Sequence, residues 1–149
     1  MWYESGRSMA LVTLISTIMF SNGAVAAITI LRAGAAGASN VLFEVDRAKA
    51  PSQIVLKTEQ AGVAGSVLDV LIDGKQKPAL HHVFAEDECK FVNQQSRCEV
   101  SFAAGSPEFA DLVKGLVKGW NAKVTVADAG VMKMDHVVSL KGLARLLGR

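Results

Sequence analysis

The sequence predicts a mainly β protein: a β-sandwich-like domain of about seven short strands, with one well-marked helix and one short helix packed on it. Three observations carry this. Short β-prone runs recur from Val41 onward with turn residues between them, apolar residues alternate within several runs, and a single later stretch switches clearly to a helical period.

The expected strands are Val41 to Val45, Gln53 to Thr58, Ser66 to Ile72, Leu80 to Phe84, Arg97 to Phe102, Lys123 to Ala127 and Met132 to Leu140. In Gln53-Ile54-Val55-Leu56-Lys57 and Lys123-Val124-Thr125-Val126 the apolar side chains fall largely on one face. Asp73-Gly74 supplies a tight turn, because glycine accepts a positive φ without steric cost. The helix begins where Ser106 can cap free amides, Pro107 suits the first helical position and Glu108 complements the positive end of the dipole. Phe109, Leu112, Val113, Leu116 and Val117 then mark its core face, Asp111, Lys114 and Lys118 its wet face, and Gly119 its end. Leu140, Leu143, Leu146 and Leu147 suggest the short last helix, with Arg145 and Arg149 outward.

A chain of 149 residues, 50% apolar and 20% charged, is one globular domain with at most an appendage. Its net charge of +2 is too close to neutrality to imply nucleic acid. Most of the apolar excess lies between Met9 and Ala38, where Arg32 is the only charge. There the order is that of a secretion signal: Arg7, an uncharged run from Met9 to Phe20, the breaker Ser21-Asn22-Gly23, then Ala24-Val25-Ala26 with small residues where signal peptidase requires them. Cleavage is expected before Ala27, with Ala36-Gly37-Ala38 a weaker second site; the alternatives are an uncleaved anchor or a buried helix. The expected organisation is a signal at 1–26, a flexible Ala/Gly-rich leader at 27–40 and one β-rich domain at 41–149, placed in the periplasm or outside the cell with no membrane span after cleavage.

Cys89 and Cys98 are the only cysteines, and eight intervening residues can form a hairpin that brings them together, so a disulfide is expected. No Cys-x-x-Cys, nucleophile elbow or phosphate loop is present. These features point away from an enzyme and away from a bound cofactor. His81, His82 and His136, with Glu86, Asp87 and Glu88, offer imidazole and carboxylate ligands, and a periplasmic metal-binding module is the alternative function. Adjacent histidines on a strand point to opposite faces, so only one of His81 and His82 could share an ion with His136. The basic C-terminal third offers a partner surface at Lys114, Lys118, Trp120 and Arg145, where the bland reading is a solvated face and a Trp that closes the core edge. For Trp120 the core reading is preferred.

Four features carry a family likeness: Val70-Leu71-Ile72-Asp73-Gly74, the pair Cys89 and Cys98, the helix from Pro107 to Lys118 with Gly119 followed by Val124-Thr125-Val126, and Val138-Ser139-Leu140-Lys141-Gly142-Leu143. Through them the stretch from Val70 to Leu147 resembles the C-terminal part of the invasion-associated locus B family of exported bacterial proteins. The resemblance implies a β-sandwich-like envelope domain, with a role in host-cell association in some pathogens and no catalytic residues. The expected function is therefore non-enzymatic binding of an envelope or host partner.

Overall fold

Alternating apolar residues produce two antiparallel sheets whose inner faces share one core. The computed structural model describes residues 27–148, so the expected secretion signal lies outside the described residues. Nine strands are present there: β1 (Ile28–Ala33), β2 (Asn40–Val45), β3 (Gln53–Glu59), β4 (Val67–Ile72), β5 (Leu80–Val83), β6 (Cys89–Val92), β7 (Gln95–Ala103), β8 (Asn121–Asp128) and β9 (Val131–Ser139). Two helices, α1 (Pro107–Lys118) and α2 (Leu143–Leu146), and a 3₁₀ turn at Glu86–Glu88 complete the domain.

The five-stranded sheet has the order β1-β2-β3-β7-β6, and the four-stranded sheet β5-β4-β8-β9. Strict alternation in β7 sends Cys98, Val100 and Phe102 inward, while β4 does the same with Leu68, Val70 and Ile72. Phe43, Ile54, Leu56, Val124 and Val126 are also fully buried in the same core. The chain passes between the sheets three times: after β3, after β5 through the 3₁₀ turn, and after β7 through α1.

The leader expected at 27–40 is not a leader. Ile28–Ala33 forms β1, which pairs along β2 and places Leu31 and Ala33 in the core, so the domain includes this segment rather than starting near Val41. A register shift between Thr29 and Leu31 leaves Ile30 and Leu31 both buried, which erases the period of two that marks a strand. The turn between β1 and β2 is fixed by Gly34, whose φ is +94°. A Cβ there would lie 2.4 Å from the Ser39 carbonyl oxygen and 2.9 Å from the His136 ring.

At the other side, β6 and β7 form a hairpin through Asn93 and Gln94, both at positive φ as a two-residue turn of the primed type requires. Cys89 and Cys98 are directly opposed in its register with Cα atoms 4.0 Å apart, and they form the expected disulfide. Closing so short a loop contributes about 2.5 to 3 kcal/mol in the chain-entropy account.

Helix α1 starts as expected: the Ser106 hydroxyl accepts from Phe109 N–H at 3.2 Å and Pro107 occupies the first turn. Only Leu112 and Leu116 of its apolar face are fully buried. Its approach to the four-stranded sheet is set by Gly115 and Gly119, one turn apart, where added Cβ atoms would come within 2.9 and 2.4 Å of Ile72. A glycine inside a helix costs about 1 kcal/mol against alanine. Here it lets the helix lie directly on the end of β4.

Candidate functional site

That close seat of α1 creates a cleft. Between its C-terminal half and the connection from β4 to β5 lies a depression of about 350 Å³, lined by Lys75, Lys77, Lys114 and Lys118 with Asp73 and Asp111. Lys114 and Lys118 are one turn apart and exposed, while Leu112 and Leu116 on the opposite side hold the helix down. Lys75 and Lys77 come from the loop that Asp73-Gly74 starts, where Lys75 N–H donates to the Ile72 carbonyl at 3.0 Å. Four cations from two distant segments thus face two carboxylates.

One of those carboxylates is already engaged. Asp73 Oδ1 accepts from the backbone N–H of Asn121 and of Trp120, both at 2.9 Å. Those two bonds, Asn121 first, hold the Asp73 carboxyl below its ordinary value, and the charge of Lys75 adds to them. Because the folded-state pKa is depressed, the contribution of Asp73 to stability is complete above its ordinary 3.8 and is lost as pH falls through the lower folded value. Urea unfolding of the wild type and Asp73→Ala is therefore expected to differ near neutrality and to converge in strong acid. A constant difference across that range would show that the carboxylate charge is not what holds the turn.

Trp120 itself departs from expectation. Instead of closing the core edge, it is 78% exposed, and its backbone adjoins the cleft through the lining residues Gly119, which precedes it, and Asp73, to which its N–H donates. Its backbone is tied on both sides, the N–H to Asp73 and the carbonyl to Leu140 N–H at 2.9 Å, so the following Asn121 enters β8 and Ala122 takes the inward position. Of the expected partner-surface residues, Lys114 and Lys118 line the cleft and Trp120 borders it. Arg145 is exposed on α2, which packs against α1. Lys75 and Lys77 were not legible as part of this surface, because only the tertiary seat of α1 brings the loop beside the helix.

The three histidines do not converge. His81 Nδ1 pairs with Asp69 Oδ1 at 2.6 Å on the outer face of the four-stranded sheet. His82, on the opposite face, pairs through Nε2 with Glu88 Oε2 at 2.7 Å, and its ring meets Phe84 and Phe102 edge-on at 5.5 and 5.7 Å. His136 Nε2 donates to the Ser39 carbonyl at 3.1 Å and links β9 to the turn after β1. Each imidazole has a separate partner on a separate element. Among the described residues, no group of three His, Cys, Asp or Glu side chains lies close enough to hold a metal ion.

A larger concavity, about 580 Å³, lies on the outer face of the five-stranded sheet. Its charges are arranged to satisfy one another: Lys57 Nζ is 2.9 Å from Glu44 Oε2, and cross-strand register sets Lys57 against Glu99 and Glu59 against Arg97. Five carboxylates and three cations leave this lining net acidic, but all three cations lie among carboxylates, and Glu88 is paired with His82, so its charges are largely engaged within the protein. The lysine cleft, with twice as many cations as anions, is the better candidate for recognition.

The fold and site define a disulfide-stapled, mainly β, sandwich-like domain with a basic cleft beside its principal helix. No family model, curated protein or solved structure matches the chain.

Proposed function

We propose that this is a non-enzymatic exported protein, periplasmic or secreted, that binds an envelope or host partner through the lysine cleft and its rim. The observation that carries the reading is the meeting of Lys75 and Lys77 from a loop with Lys114 and Lys118 from a helix, beside an exposed tryptophan. Lysines brought together by the fold concentrate positive potential, and an exposed aromatic ring supplies contact area at small entropic cost. Export is supported by the order of features from Arg7 to Ala26 and by a disulfide, which persists in oxidising compartments. A role in host association follows from the resemblance to the invasion-associated locus B family.

Capture from envelope extract tests this. The wild type is expected to retain one stoichiometric partner, and the double reversal K114E/K118E is expected to release it while leaving the thermal unfolding midpoint unchanged. Retention of the same partner by the reversed protein would move the binding surface elsewhere.

A further inference from the structure

We infer that the lysine cleft and Trp120 dock the protein on an anionic lipid bilayer; this rests on the reading of the same face as the binding surface. Charge is segregated toward this end of the molecule. Lys141 follows Leu140, whose N–H is bonded to the Trp120 carbonyl, and Arg145 lies on the helix packed against α1. With the four cleft lysines, they are six of the chain's 16 basic side chains, against Asp73 and Asp111 from its 14 acidic ones. Six cations thus stand against the two carboxylates that line the cleft, although the chain's overall balance is only +2.

The chemistry of the patch favours a diffuse surface over a single bound anion. All four cleft cations are lysines, which act as mobile point charges and lack the planar fork with which arginine grips one phosphate or carboxylate. The cleft also lies along the C-terminal half of α1, where the helix dipole opposes a discrete anion. The dipole acts only within the last turn, whereas mobile lysine charges reach out to many lipid charges spread in a plane. Trp120 is 78% exposed and Leu146 38% exposed, and an indole ring beside flexible lysines matches the headgroup boundary, where Trp ring and Lys stem both find an apolar side and a polar side.

Trp2 and Trp120 are the only tryptophans, so the full chain carrying Trp2→Phe reports on Trp120 alone. With vesicles of phosphatidylcholine containing phosphatidylglycerol, Trp120 emission is expected to shift to the blue and to be quenched by brominated lipid. Both effects are expected to weaken with added salt and to be absent with pure phosphatidylcholine. The reversal K114E/K118E is expected to lower the apparent partition by more than about thirtyfold, the loss of each lysine near an anionic surface being worth about a factor of five and each new carboxylate adding repulsion. Trp120 emission that ignores anionic vesicles, or that responds equally to neutral ones, overturns the inference. A response to soluble heparin without one to vesicles also overturns it while leaving the binding face intact. Silence toward both, together with envelope capture unaffected by K114E/K118E, overturns the binding face as well.

Discussion

Replacing Phe43 by alanine is expected to lower the free energy of unfolding by about 3 to 5 kcal/mol. Phe43 is fully buried, and the register of the five-stranded sheet sets it beside Leu31 on one side and Leu56 on the other, with Val100 next in the row. All four side chains point at the opposing sheet, so the ring fills space that no neighbour on the same strand can reach. Backbone ladders on both sides fix β2, which restricts collapse around the missing ring and keeps the cost near that of an unfilled cavity. Urea unfolding measures it directly. A loss below about 1 kcal/mol would mean that the two inner faces do not share one core.

Gly34→Ala is expected to cost about 3 kcal/mol, a large penalty for adding one methyl group. Positive φ at an L-residue accounts for roughly 1 to 2 kcal/mol of it. The rest comes from the 2.4 Å approach of the new Cβ to the Ser39 carbonyl, which displaces the acceptor of the His136 hydrogen bond. His136→Ala removes that hydrogen bond without disturbing the turn, and about 1 kcal/mol is expected for it. Comparable losses for the two variants in denaturant unfolding would show that the turn moves freely and that only the imidazole matters. Equal zinc content with and without His136 is expected as well, since its ring serves the turn.

Much of the architecture could be read from local pattern, and the misses have identifiable causes. The seven expected strands are present because apolar alternation and turn residues are local signals: Leu68, Val70 and Ile72 declare an inner face before any partner is known. Strand β1 was hidden because its bulge buries two successive residues, which reads as a run without a period. Strand β6 was hidden for the opposite reason, since none of Cys89, Lys90, Phe91 and Val92 is fully buried and pairing with β7 alone defines it.

The candidate site was half legible. Lys114 and Lys118 stand out at helical spacing, whereas Lys75 and Lys77 sit in a turn whose orientation depends on Gly115 and Gly119 letting α1 reach Ile72. Trp120 was misplaced because its large apolar surface favours burial on average, while its actual orientation is decided by two backbone hydrogen bonds and the entry into β8. The metal alternative lacked the same kind of information: proximity of His82 and His136 depends on which sheet edge each strand occupies, and β5 and β9 lie at opposite edges of the four-stranded sheet.

That strand order also determines when the molecule can form. β3 must wait for β7, whose first paired residue Arg97 lies far along the chain from Glu59, and β4 must wait for β8, which ends at Asp128. Neither sheet can close around its centre until most of the polypeptide exists, and pairings separated this widely place folding in the slow, millisecond-to-second range of all-β domains. The β1-β2-β3 meander and the β4-β5, β6-β7 and β8-β9 pairs are local in sequence, so the late step is the joining of these pieces across the centre of each sheet, β3 to β7 and β4 to β8.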